Sequence, residues 1–383
     1  NVPAQLDPQD LEAEIELELP GSLEPREIGE IEVEMEEDGG AVIDFDPTAT
    51  AAESAPQDFF GNLAENIDDQ QLSTLAGELV AEYEANKSGR QEWEDAFANG
   101  LELLGFNYSE RSEPFNGATG VTHPLLAEAA VQFQAQAFNE LLPAGGPVRT
   151  SIIGATTRET EDQSQRVKDF MNHYITNVME EYTPEFDQML FYLPLAGSTF
   201  KKVYYDGALD RAVSKFVPAE NLIVPYEAND LETCPNITHT VKINLNELRK
   251  QQISGFYLDI PVLPQQGNSS SLTQEINELS GMEPSQIDYD CTLLECHADL
   301  DLEGYEDMGK DGEPTGIKIP YIVTISQDNG QVLSIRRNYA EADPQKKKIQ
   351  YFVHYKFLPG FGFYGLGLIH TIGGLSRTAT AAL

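Results

Sequence analysis

Gly360, Gly362 and Gly365, with Phe361, Phe363 and Tyr364 between them, match the G-x-G-x-x-G spacing of a dinucleotide-binding turn. Such a turn needs small residues, so that the backbone can approach a pyrophosphate. Here the intervening positions are aromatic and no strand-helix-strand unit surrounds them, so the motif reads as a flexible aromatic elbow feeding a last helix. Asp299, Asp301, Glu303 and Gly304 begin like a calcium loop. Position 12 of that loop should be a bidentate Glu and is Lys310, and the flanks are strand-like, which predicts an acidic hairpin tip. Cys234, His239, Cys291, Cys296 and His297 have the donor chemistry of a zinc site. A strand over 291–298 sends Cys291 and Cys296 to opposite faces, so four tetrahedral ligands are hard to gather and buried thiols are expected. There is no phosphate-cradling G-x-x-x-x-G-K-[ST] and no H-E-x-x-H, and Thr378 breaks a G-x-S-x-G elbow begun at Gly374. No catalytic, cofactor-binding or metal residue is assigned, and no cofactor is expected. Basic residues cluster at Lys201-Lys202, Arg336-Arg337 and Lys346-Lys347-Lys348. The last cluster is either a solvated turn or an electrostatic contact with an acidic partner or DNA, which makes Lys346, Lys347 and Lys348 the candidate contact residues.

The elements that must carry these residues follow from hydrophobic periodicity. Leu72, Leu75, Ala76, Leu79, Val80 and Tyr83 recur at helical spacing, and Trp93, Phe97, Leu101 and Leu104 continue it. Residues 107–121 read as a polar, glycine-rich loop. Thr122 can cap a helix running to about Leu142, with Pro124 in its first turn and Pro143 to Pro147 as the stop. The clearest helix spans Thr157 to Glu181, with a stripe of Val167, Phe170, Met171, Tyr174, Ile175, Val178 and Met179 expected to pack. A second follows Pro184, with Phe186, Met189, Leu190 and Leu193 inward. The period then changes to two: strands are predicted at 199–205, 212–217, 221–226, 238–243, 291–298, 319–326, 332–337 and 349–357. A short helix is predicted at 246–253, and 264–287 reads as polar loop. Helices first and antiparallel-looking strands after argue an α+β fold.

The chain has 383 residues, 40% of them hydrophobic, enough for a sizeable core. No apolar run approaches the roughly 20 residues needed to cross a bilayer, so no membrane insertion is expected. Three cysteines are too few for a disulfide framework, and a reducing cytoplasm is the default. The net charge is −40, and residues 1–58 contribute −17 of it, with 18 acids against one Arg. Such a surface repels the phosphate backbone, which argues against tight nucleic-acid binding; it suits either plain solvation or a conduit that DNA passes without sticking. Residues 1–60 cannot bury enough apolar surface to offset chain entropy and read as an acidic arm, extended or disordered. Within it, the alternation from Glu30 to Met35 fits a strand that pairs when a neighbour supplies an edge. The chain opens on Asn and stops at Leu383 in mid-pattern, so a piece of something longer is expected.

Residues 349–383, a strand, the aromatic-glycine loop and the stretch GGLSRTATAAL, resemble portal proteins of tailed bacteriophages, particularly the short-tailed kind. Residues 123–150, 186–206 and 216–234 agree. The likeness covers about residues 70–383 and is spread over many positions. It implies a non-enzymatic structural subunit with a wing, stem and clip architecture. Copies would form a homo-oligomeric ring, twelve in the family, around a channel at one capsid vertex of the virion, assembled in the host cytoplasm. Double-stranded DNA would enter under a separate terminase motor and leave at infection, with capsid protein and tail or adaptor proteins as further partners. On this reading 61–284 is a helical then α/β wing-like region, 285–348 a β-rich clip region, and 349–383 the strand, loop and start of a helix. Another virion connector or capsid-associated protein would share the acidity, and a carboxylate-based enzyme is the remaining alternative.

Overall fold

The structure is a computed structural model that describes residues 32–35, 41–44, 59–106, 121–207, 209–225, 227–262, 271–281, 290–309 and 313–383. The chain forms two units, Asn1–Asp58 and Phe59–Leu383. In the first, β1 (Glu32–Met35) and β2 (Ala41–Asp44) pair antiparallel, Glu32 opposite Asp44 and Met35 opposite Ala41. A strand forms within the predicted stretch, at Glu32–Met35, and it pairs with β2 of the same arm. For the rest of residues 1–58 the expected extended or disordered state lies outside the described residues.

In the second unit, α1 (Asp69–Gly89) starts where the Asp68 carboxylate accepts from Gln70 N at 3.1 Å, satisfying one orphan donor of the first turn. Leu72, Ala76, Leu79 and Tyr83 are buried, the stripe that the helical period predicts. In α2 (Gln91–Leu101), Phe97 and Leu101 are buried. α3 (Leu125–Leu141) begins with Pro124 at the cap position in place of the expected Thr122. α4 (Arg158–His173) continues through one π turn, Tyr174–Val178. α5 (Tyr182–Ala196) buries Phe186, Met189, Leu190 and Leu193 as expected.

Then the period changes to two. β3 (Ser198–Asp206), β4 (Arg211–Pro218), β5 (Leu222–Ile223) and β6 (Asn236–Asn244) precede α6 (Leu245–Ile253) and α7 (Ser271–Ser280). β7 (Asp290–Leu300), β8 (Ile319–Ser326), β9 (Val332–Arg337), β10 (Phe352–Lys356) and α8 (Leu368–Ala382) complete the unit. One antiparallel sheet is ordered β10-β3-β4, the other β5-β6-β7-β8-β9. The fold is α+β. Strands β7 to β9, from the 285–348 region, hydrogen-bond through β7 to β6 of the 61–284 region, so both regions share one sheet.

Two elements depart from expectation. The 264–287 stretch is not all loop: α7 forms because Leu272, Ile276 and Leu279, spaced by four and three, pack on the cluster around Phe97 and Leu101. The larger correction concerns α4. No residue of α4 is buried, and Val167 and Phe170 are 46% and 62% exposed. Its half-buried side runs through Thr160, Ser164, Lys168 and Asn172, spaced by four. Asn172 Oδ1 accepts from Val148 N at 2.8 Å, and Ser164 Oγ donates to Thr150 Oγ1 at 2.8 Å. The 148–150 segment offers α4 polar partners, so Val167, Phe170 and Met171 turn outward, whereas the later part of the predicted stripe packs: Tyr174, Ile175 and Val178 are half-buried and Met179 is buried.

Candidate functional site

A grouping of ionisable side chains lies between the two sheets. Glu295 and His297 alternate on one face of β7, and His239 of β6 stands directly opposite Glu295. From β3 of the other sheet, Lys202 Nζ donates to both Glu295 oxygens at 2.6 Å. His297 Nε2 lies 2.7 Å from Glu295 Oε1. Phe352, opposite Lys202 in β10, closes the grouping with its ring centroid 5.2 Å from that of His297 and 5.4 Å from that of His239. Burial would raise the Glu295 carboxyl, but Lys202 and the histidines outweigh it and hold it well below the usual carboxylate range. Burial pushes His239 down to about 3, and it also lowers His297, so both rings are neutral near pH 7. An ionised Glu enclosed by a Lys and two neutral imidazoles, with the side chains of Lys202 and Glu295 16% and 17% exposed, joins two sheets. It offers no open face to a substrate.

A second buried grouping centres on Arg90, between α1 and α2. Its guanidinium donates to the carbonyls of Ala219 and Leu222 at 2.9 Å, to Tyr364 Oη at 3.0 Å and to Glu220 O. It also pairs with Glu94 at 2.7 Å. Tyr364 Oη donates to Leu222 O at 3.0 Å, and its ring stacks on Trp93 at 5.0 Å. Tyr192 Oη donates to the Glu220 carboxyl, which burial raises above its ordinary value. This planar fork of donors suits several carbonyls at once.

The G-x-G-x-x-G segment therefore serves packing. Phe363 is buried and stacks on Phe200 and His354, at 5.9 and 4.6 Å, while Phe361 points to solvent. The elbow is held, not loose: Gly365 N donates to Ser198 Oγ at 2.7 Å, and a Cβ on Gly365 would come 2.4 Å from Gly197 O. Ser198 Oγ also lies 3.1 Å from His354 Nε2. This serine-histidine pair is no nucleophile, because Ser198 is fully buried and its oxygen is engaged. Burial, with Lys356 nearby, pushes His354 down to about 3.

The three candidate lysines do not form one basic face. Lys346, in the left-handed region at φ 47°, pairs with Asp307, and Lys348 Nζ donates to Cys234 O at 2.6 Å. Lys347 is exposed. The cysteines sit in three different hydrophobic clusters: Cys296 with Leu294 and Tyr321, Cys234 with Ile237 and Leu231, and Cys291 with Leu293 and Leu333. Asp301 and Glu303 lie on a groove of about 500 Å³ beside α1, with Ile67, Leu75 and Leu302 as its apolar part. Lys310, at position 12 of the calcium-like run, lies outside the described residues. Among the described residues no helix is long and apolar enough to cross a membrane.

The Lys202 and Arg90 groupings were not legible in the sequence. Lys202 and Glu295 are 93 residues apart, Arg90 and Tyr364 274. The available signals were the basic pair Lys201-Lys202 inside a predicted strand and the alternating Glu295-x-His297. Neither a protein-family model nor a curated protein matches the chain.

Proposed function

We propose that this chain is a structural subunit of a portal-like ring, a channel at one capsid vertex through which double-stranded DNA is packaged and ejected. In this reading twelve copies assemble, with a separate motor, capsid protein and tail or adaptor proteins as neighbours, in wing, stem and clip parts. The observation that supports the reading is α4: Val167, Phe170 and Met171 are exposed together on one side of the helix, and an exposed apolar patch of this kind marks an interaction surface. Further support comes from the stretches that carry the resemblance. α3, α5, β3, the aromatic-glycine loop and α8 meet in adjoining clusters around Leu126, Leu195, Phe200 and Phe363. The buried ionisable groupings join elements and are enclosed, which disfavours the enzyme reading.

Electron microscopy of the purified, assembled protein tests it. Closed rings with a central channel are expected. Stable monomers at high concentration, or ATP hydrolysis by the purified protein, would overturn the reading.

A further inference from the structure

β4 is an edge strand of the β10-β3-β4 sheet, and side chains cover its free edge where another strand could pair. Val203 N bonds to Tyr351 O, so the odd-numbered residues of β3 face β10 and the even-numbered ones face β4. The register with β4 then turns the N–H groups of Ala212, Ser214 and Phe216 outward. Ala212 N donates to Tyr174 Oη at 2.8 Å, Ser214 N to Glu181 Oε1 at 3.3 Å, and Phe216 N to Glu185 Oε2. Glu181 and Glu185 are one helical turn apart, about 6 Å along the axis, close to the roughly 6.7 Å between alternate strand residues. The start of α5 therefore fits the edge as a row of acceptors. Met179 is the one buried residue of 174–185, so polar contacts carry much of the hold.

Two cations lie against this segment. Arg211 Nη1 is 2.8 Å from Glu181 Oε2. Lys201 is 2% exposed, with Nζ 4.2 Å from the centre of the Tyr182 ring, 5.1 Å from that of Phe186 and 3.3 Å from Ser214 Oγ. Burial pushes Lys201 down to about 8, against the pull of Glu185 and Glu181, so it carries its charge at neutral pH and below. Burial would raise the Glu181 carboxyl, but hydrogen bonds from Arg211 and from the backbone outweigh it and hold the carboxyl below its ordinary value. Tyr174, Tyr182, Tyr204 and Tyr355 are the neighbouring hydroxyls, and Glu180 and Asp206 the further acids.

We propose that residues 174–185 form an acid-sensitive strap: protonation of Glu181 and Glu185 unfastens it from β4 and bares the strand edge. A neutral carboxyl accepts a hydrogen bond more weakly than an ionised one. The same protonation leaves Arg211 and the buried Lys201 without counter-charge, and an uncompensated buried cation is costly. Glu181 is held below its ordinary value in the fold, so its contribution is complete above pH ~4.3 and is lost as pH falls through the lower folded value. Release presents the N–H groups of Ala212, Ser214 and Phe216 to solvent, in the alternate spacing that an added strand requires. The strap does not depend on the ring reading.

Amide hydrogen exchange at single-residue resolution, at pH 7, 5 and 3, tests it, with each rate taken relative to an unfolded peptide at the same pH. Ser214 and Phe216 report the strap, while Val213 and Lys215, which bond to β3, report the sheet beneath. Protection of the first pair relative to the second should fall about tenfold or more between pH 5 and 3, the worth of a hydrogen bond to a charged group. Glu181→Gln with Glu185→Gln has no carboxyl to titrate at the edge, so its ratio should not vary with pH. A melting curve checks the fold of that variant, and the wild-type series decides alone if the variant unfolds. A wild-type ratio that stays constant would overturn the proposal, as would a double variant that keeps the pH dependence. Loss of all four protections together would also overturn it, since strap and sheet would then open as one.

Discussion

His297 is buried and His239 and His354 are half-buried, and loss of solvation holds all three imidazoles below their ordinary pKa. Each stays neutral in the folded chain while the unfolded chain takes up protons below pH ~6.5, so stability falls as pH falls from there toward about 3. Glu295 has the same sense: its carboxyl is depressed in the fold, and that contribution disappears at still lower pH. Each histidine should contribute a slope of up to about 1.4 kcal/mol per pH unit. Urea unfolding of His239→Gln at pH 7, 6 and 5 should show a slope smaller by about that amount. An unchanged slope would mean that the ring is protonated in the fold. Arg90 gives the second prediction at this scale. Arg90→Met removes the partner of buried Glu94 and the donors to three backbone carbonyls, and should cost about 3–5 kcal/mol in chemical denaturation. Arg90→Lys should recover little, since an ammonium cannot reproduce the fork.

At the scale of elements, α4 and α7 are mirror cases. Phe170 looks like a core residue in sequence yet is exposed, so Phe170→Ala should change the stability of the monomeric chain by no more than about 0.5 kcal/mol. Leu272 sits in a polar, loop-like stretch yet is fully buried, so Leu272→Ala should cost about 2–5 kcal/mol. Thermal melts of the two variants side by side would reverse this account if Phe170→Ala were the more damaging. The aromatic-glycine elbow is held by backbone-to-backbone contact. A Cβ on Gly367 would come 2.1 Å from Leu195 O and 2.8 Å from Gly197 N. Gly367→Ala therefore has to push apart the end of α5 and the start of α8, at a cost of about 1–3 kcal/mol or more. A neutral effect on the melting temperature would show that this junction is loose.

For the whole molecule, the net charge of −40 governs any encounter with DNA. Lys346 and Lys348 are engaged inside the chain, which leaves Lys347 as the exposed member of that cluster. The protein should therefore bind duplex DNA weakly at physiological salt. The dependence of log K on log salt should be shallow, because few phosphates are neutralised. Fluorescence anisotropy across a salt series measures this directly. A steep slope with tight binding would require a basic surface created only on assembly.

The α+β class, the stripes of α1, α2 and α5 and the hairpin strands were legible in the residue pattern. These follow from local periodicity, which sets which side chains share a face whatever lies opposite. It also carried the glycine spacing at 360–365 and the aromatic residues between the glycines, which argue against a close backbone approach to a nucleotide. Tertiary structure alone decided the rest. Periodicity gives α4 an apolar stripe but not the direction that stripe faces; the polar 148–150 segment settled that. α7 needs the face of α2 before its three apolar residues count as a core. The Lys202–Glu295 and Arg90–Tyr364 groupings join residues far apart in the chain, and such pairings arise only when whole elements dock.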